Sequence, residues 1–379
     1  MAKYRVKPQL LQRIERLRGV RMEWRQERKR LWLECDFGSF HWDMPRTWKL
    51  SKTHPDLLKL AEWVLLDPWF PGIIEGYEWN RKPGKRPGLS FSGGIESTAA
   101  MLLMPKNTAI AYHERDFESM IKHDNAKRFI WRLRWRHFKK IHIIKSDHEK
   151  IRMCFEKPKG FSTDIACAVH LILLADFLNL DSIAVGMPID NSWLSKGIKY
   201  RDFVECGWYK KWIEPFHKAG LDILLPVNMI TQAGCLEVVE KSGMANWAQS
   251  CLRAKSGDTC GRCWKCFFKN SLLGHPIDLT SNEIQKFSST DPLKTAAMVI
   301  YATKHTGLFE KLEQLQRFSD VNLDWFNQIY PPGFDLLPNK YRDGIKSKLE
   351  LFLDDMEMPY PLEWTDLENA PYTSGPPME

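Results

Sequence analysis

Two short stretches of this 379-residue chain hold residues of the right type and spacing for chemistry. The first is Leu89-Ser90-Phe91-Ser92-Gly93-Gly94-Ile95-Glu96-Ser97-Thr98, an apolar run that passes through two glycines into a helical pattern. Glycines let the backbone approach a bulky anion, amides at a helix start point at it, and Ser92 and Ser97 add hydroxyl donors. That is a pyrophosphate cradle. A plain strand-to-helix turn with a serine cap would use the same residue types, but the flanking strand, the helix and the second serine favour the cradle. No Gly-Lys-Ser/Thr triplet follows, so this is not a Walker-type loop.

The second stretch is Cys251-x8-Cys260-x2-Cys263-x2-Cys266, four thiols within sixteen residues, with Gly257 and Gly261 placed for tight turns. Four soft ligands around one ion suit a closed structural zinc site. An iron–sulfur cluster competes, since Cys-x2-Cys-x2-Cys also occurs in ferredoxin-like runs. The absence of proline after Cys266 and the polar neighbours Lys255, Asp258, Arg262 and Lys265 lean towards zinc. Cys35, Cys154, Cys167, Cys206 and Cys235 are scattered. An odd total of nine cysteines argues against a disulfide framework and for a reducing, cytoplasmic setting.

Ser92-Gly93-Gly94-Ile95-Glu96-Ser97 resembles the Ser-Gly-Gly-x-Asp-Ser signature of the PP-loop ATP pyrophosphatases, with Glu96 where that family usually has Asp. Combined with the cysteine knuckle, the stretch from Leu89 to Leu273 is similar to QueC, the 7-cyano-7-deazaguanine synthase family. The resemblance implies an α/β fold with a parallel-sheet core of the adenine nucleotide alpha hydrolase type. It implies ATP bound by Ser92, Gly93, Gly94, Ile95, Glu96, Ser97, Tyr112 and Gly186. It also implies Mg2+ held with the help of Glu96, catalytic roles for Glu96, Asp190 and Arg115, and Zn2+ on Cys251, Cys260, Cys263 and Cys266. Such enzymes adenylate a carboxylate on a deazapurine, release pyrophosphate, and form an amide and then a nitrile with ammonia.

Val185-Gly186-Met187-Pro188-Ile189-Asp190-Asn191-Ser192 matches the family only at Gly186, Asp190 and Ser192; the rest of a Ser-Gly-Tyr-Pro-Asp-Cys run is absent. Asp190 is expected either to contact substrate or metal or to cap a loop. The departures and the long flanking segments resemble a specialised branch found in anti-phage defence gene clusters, where the acceptor is the amine of a partner protein. Two other classes fit the same loop. One is a tRNA-modifying PP-loop enzyme, for which Cys167 is the candidate sulfur carrier. The other is a non-catalytic nucleotide sensor, if Glu96 spoils the metal geometry.

The elements that position these groups follow from periodicity. Val20–Arg25 and Arg30–Cys35 alternate as paired strands around a Gln26–Lys29 turn, and Arg81–Gly88 reads as a basic loop at a boundary. Short β-rich runs at 89–91, 108–112, 141–145 and 182–187 alternate with helical stretches at 97–103, 117–139 and 163–178, the pattern of βαβ units. Beyond residue 275 the chain reads as helical, at 292–318 and 341–353, with a loose end at Pro371–Glu379. The organisation expected is an α+β addition over 1–80, the catalytic unit over 81–275, and a helical addition over 276–379.

His113 and Arg115 fall at a strand end where parallel sheets bind ligands, and His170 lies on an apolar helix as a core residue. Lys127–Lys140 interleaves seven basic residues with four aromatics and no acid. It suits a groove for nucleic acid or an acidic protein, but a helix with its aromatic face buried and its basic face solvated needs no partner and is the favoured reading. The formal charge of +8 favours anionic partners. The longest mostly apolar stretch, Ile165–Leu178, is too short for a bilayer and no signal core opens the chain, so no membrane role is expected.

Overall fold

The computed structural model describes residues 21–118, 122–137, 139–249, 251, 253–254 and 257–368. The basic stretch before residue 21, residue 255 and the Pro371–Glu379 tail lie outside the described residues. The chain is an α/β protein organised on an eight-stranded sheet.

Five strands form the parallel part: β4 (Arg86–Ser90), β5 (Ala109–Arg115), β6 (Ile141–Ser146), β7 (Leu180–Ala184) and β10 (Asp222–Leu224). Their spatial order is β6-β5-β4-β7-β10, so the chain builds outward from β4 in one direction and then restarts beside it at β7. The N-terminal ribbon β1 (Met22–Glu27), β2 (Arg30–Cys35) and β3 (Gly38–Asp43) extends the same sheet antiparallel from β6. The first hairpin and the βαβ alternation match the sequence reading. The third strand and the short β10 were not legible, since neither has a long alternating run.

Alternation along each strand divides the core into two faces. Ala109 and Ala111 point into one cluster and Ile110 and Tyr112 into the other. The helices Ile95–Leu103, Asp124–Arg136, Gln232–Lys241 and Asn339–Leu349 cover one face. Pro55–Leu66, Val169–Leu178 and Gly207–Lys218 cover the other.

Val169–Leu178 is apolar on all sides, with Leu171, Ile172, Leu173 and Leu174 fully buried. Only a second layer makes that sequence tolerable, and Pro55–Leu66 supplies it. Trp48 Nε1 donates to the Leu173 carbonyl at 3.0 Å from the same layer. Each fully buried Leu or Ile contributes about 1.5–3 kcal/mol, so residues 21–80 are a structural layer of the sheet.

The stretch expected as a boundary loop is tied down for the same reason. Arg86–Gly88 already belongs to β4, and Arg81 is buried. Arg81 bonds Asp176 at 2.8 Å and donates to the carbonyls of Leu180 and Gly220. Asp56 at the start of Pro55–Leu66 accepts the backbone amides of Asn80 and Arg81, each at 2.7 Å. The helix expected over 117–139 is shorter, Asp124–Arg136, and the C-terminal segment holds Ala296–His305 followed by 3-10 turns. Among the described residues no helix is long and apolar enough to cross a membrane.

The ribbon joins the parallel part through a single residue pair, Trp42 with Ser146. His41 reinforces it: its amide donates to Asp147 Oδ1 at 2.9 Å, and its ring meets Asp147 at 3.0 Å and Asp116 at 2.9 Å. Burial pulls the His41 pKa down and Arg30 adds to that, but the bonds to Asp147 and Asp116 outweigh both and raise it. Burial pushes Asp147 up, yet the His41 bonds hold it below the usual carboxylate range. A histidine raised on folding stabilises below its unfolded pKa, and that contribution fades as pH rises through the folded value. The difference in unfolding midpoint between wild type and His41→Gln should therefore be largest below the free-histidine value of about 6.5 and shrink as the pH rises above it. Circular dichroism melts on both sides of that value test it.

Candidate functional site

The C-terminal ends of β4, β5 and β7 open into a cleft of ≈ 990 Å³. It lies where the strand order reverses, between β4 and β7, the place where a doubly wound sheet leaves a crevice. Its floor is the loop Phe91–Gly94, running from β4 into Ile95–Leu103.

Gly93 sits at φ +78°, a left-handed conformation that a side chain disfavours, and a Cβ there would lie 3.1 Å from that of Ala126. The two serines close the loop. Ser92 meets the Ser97 hydroxyl through its amide at 3.2 Å and its own hydroxyl at 3.0 Å, and Ser97 Oγ donates to the Gly94 carbonyl at 3.2 Å. Gly94 is the N-cap and no side chain caps the helix, so the first-turn amides of Ile95, Glu96 and Ser97 face the cleft end of a helix dipole. Gly186 presses on that turn from β7: a Cβ there would lie 2.9 Å from the Glu96 carbonyl carbon. β7 ends at Ala184, before the expected Met187, because the chain turns under the loop at this contact.

Around this floor the cleft is lined by Arg115, Lys122, His123, Lys196, Arg201 and Lys265, against the carboxylates Glu96 and Asp164. Arg115 ends β5, is held at 2.6 Å from Glu149 Oε1, and lies 5.6 Å over the Phe161 ring. Burial raises the Glu149 pKa, and Arg115 opposes the shift. Tyr112 lines the cleft and its hydroxyl bonds His123. His113 also lines the cleft, its ring tilted against His148 at 4.7 Å and stacked with His170 at 6.1 Å, and burial lowers the pKa of all three.

The lysine and arginine from the middle of the chain were missed by sequence reasoning. Lys196 and Gly197, both at positive φ, lie in the turn between the short strands β8 (Leu194–Ser195) and β9 (Lys199–Tyr200). The Lys-Gly pair was the available signal. Lys196 pays for that backbone with about 1–2 kcal/mol and is held by Thr295, whose amide donates to its carbonyl at 3.1 Å. Arg201 donates to the carbonyls of Ser192 at 2.7 Å and Asn191 at 2.8 Å, steadying the segment that carries Asp190.

Asp190 is brought near the loop but is not in the cleft lining. It is fully buried, and Oδ2 accepts the Gln232 amide at 2.7 Å, capping Gln232–Lys241 from outside. Oδ1 has no partner among the described residues. Burial pushes its pKa up to about 7; the Gln232 bond opposes this and the Glu96 charge adds to it. Between Glu96, Gln232 and the helix Trp264–Leu272 lies a smaller cavity of ≈ 180 Å³, walled by Trp264, Phe268, Lys265 and Lys269. Burial lowers the Lys269 pKa to about 8, and its ammonium donates to the carbonyls of Ala245 and Ala248.

Trp264–Leu272 grows out of the cysteine cluster. The Sγ atoms of Cys251, Cys260, Cys263 and Cys266 all lie within 4.8 Å of one another, an arrangement that can hold a metal ion. The Cys266 amide donates to Cys263 Sγ at 3.5 Å, capping the helix with a ligand sulfur. Asn125, on the helix that backs Gly93, donates to the Asp258 carbonyl at 3.1 Å and accepts the Gly257 amide at 2.7 Å. The cysteine cluster and the Ser92–Ser97 loop thus share one helix.

Two outcomes follow. The purified chain should carry one metal ion, measured by elemental analysis, and Cys263→Ser should lose it and lower the unfolding midpoint. Gly186→Ala should destabilise the fold by about 1–3 kcal/mol in urea titrations, because backbone atoms block the new methyl.

No curated protein matches the chain. Residues 211–359, which include Gln232, the four clustered cysteines and Lys265 but not the Ser92–Ser97 loop, match the model of a family of unknown function, DUF6395.

Proposed function

We propose that the chain is a QueC-like PP-loop enzyme, which adenylates a 7-carboxy-7-deazaguanine-type substrate with ATP and passes it to an amine. The observation that carries this reading is the anion loop at the strand-order reversal, uncapped, closed by Ser92 and Ser97, and ringed by cations. A substrate carboxylate oxygen attacks the α-phosphorus of ATP while the bond to pyrophosphate breaks. The Ile95, Glu96 and Ser97 amides receive the departing charge, helped by Lys196 and Lys265. An amine then attacks the acyl carbon, AMP leaves, and the amine loses a proton. The acceptor is ammonia or the amine of a partner protein, as in a defence system.

Glu96, which is in the first turn and lines both cavities, would hold Mg2+ with the nucleotide, and that ion would share the phosphate charge. The cavity walled by Trp264 and Phe268 offers flat surfaces for a fused-ring base. Tetrahedral zinc with bonds of about 2.3 Å puts its sulfurs about 3.8 Å apart, which suits this tetrad better than a bulky iron–sulfur cube. Nine cysteines, four of them gathered in one cluster, fit a cytoplasmic setting.

Cys167 does line the cleft, as a thiol-transfer enzyme would want. Its thiol is pushed by burial up to about 12, the wrong direction for a nucleophile. With ATP, Mg2+ and 7-carboxy-7-deazaguanine, the products should be AMP and pyrophosphate, identified by mass spectrometry. Release of ADP and phosphate would overturn the reading, and an absence of any cleavage would leave a nucleotide sensor in its place.

A further inference from the structure

The helix Asp124–Arg136 begins at the cleft, where Lys122, His123 and Ala126 line the wall. Its inner face, Ala126, Phe129, Ile130 and Leu133, is buried in the core. The outer face of such a helix is ordinarily polar. Here Trp131 and Trp135 stand on it one turn apart, 63% and 67% exposed, with ring centroids 6.2 Å from each other. Among the described residues the next most exposed tryptophan is Trp364 at 37%. Burial of an aromatic face therefore accounts for Phe129 but not for the indole pair.

Past its first turn the helix carries charge of one sign, and of its cations Lys127 is paired with Glu114 at 2.5 Å. Residues 127–140 hold seven basic side chains and no carboxylate, and Asp124 is the one acid on the helix. Arg128 and Arg132 lie 4.6 and 4.0 Å over the Trp247 ring, which extends the aromatic and cationic surface towards the metal knuckle. Lys127, Arg134, Arg136 and Lys140 are exposed.

We infer that this face binds a single strand of nucleic acid, with unpaired bases stacked on Trp131 and Trp135 and phosphates held by the flanking arginines. A single strand brings both partners that the surface asks for, flat π-faces and regularly spaced negative charge. An acidic polypeptide offers the charge without the faces. A bilayer would need aliphatic side chains beside the indoles, and those of this helix point into the core. The inference does not depend on the catalytic reading, since binding is measured without ATP.

The test is fluorescence anisotropy of a labelled single-stranded RNA of about 16 nucleotides with the full-length protein, at several salt concentrations. Binding should weaken with salt. W131A/W135A should lower affinity at least about tenfold and leave the salt slope in place, whereas Arg136→Gln should flatten the slope by about 0.7. Both variants change exposed positions, so their unfolding midpoints should match wild type. Absence of binding at low salt, unchanged affinity in W131A/W135A, or equally tight binding of a duplex would overturn the proposal. Tighter binding of polyglutamate or of anionic vesicles, lost in W131A/W135A, would overturn it in favour of a protein or a membrane.

Discussion

The contact on which the site depends is the approach of Gly186 to the first turn of Ile95–Leu103. Two backbones meet there with no room for a methyl between them. The helix that follows β4 packs on one face of the sheet and the helix that follows β7, Gly207–Lys218, on the other, so the loops that leave these adjacent strands diverge. The crevice between them is fixed by backbone packing and needs no side chain to prop it open. Hydrogen bonds between Ser92 and Ser97 then fix the loop's shape before any ligand arrives, so an anion would meet donors already oriented.

Around that contact the structure assigns different tasks to different parts of the chain. The N-terminal layer covers Val169–Leu178 and makes the sheet stable. The knuckle supplies Trp264–Leu272, whose side chains form one wall of the smaller cavity. The segment after residue 275 reaches back through Thr295 to hold the strained turn that presents Lys196. Residues from Ser90 to Lys265 therefore converge on one opening, and the family match over 211–359 covers only its later-contributed walls.

What was legible in the sequence was local. Two glycines between serines, a cysteine spacing and the alternation of β-rich and helical runs each carry their signal within about ten residues. Their structural counterparts are the loop, the tetrad and the parallel strands. What was illegible needed partners distant in the chain. Arg81 reads as a basic loop residue until Asp176 and the Gly220 carbonyl are beside it. Asp190 reads as a ligand or a cap, and only the Gln232 amide shows the cap. Trp131 and Trp135 read as half of an amphipathic pattern, and the direction of that helix face decides that they are exposed.

The junction between Trp42 and Ser146 also governs the order in which the molecule is assembled. The ribbon β1–β3 leaves the ribosome before the strand it must pair with, β6, which follows about 100 residues later. At about 5–20 residues per second the ribbon waits roughly 5–20 s with its apolar side uncovered. Trp24 and Trp42, which touch each other across the ribbon at 5.6 Å, give it a small hydrophobic cluster of its own during that interval. The dense aromatic content of the first 80 residues is thus suited to survival of an early intermediate as well as to the finished core.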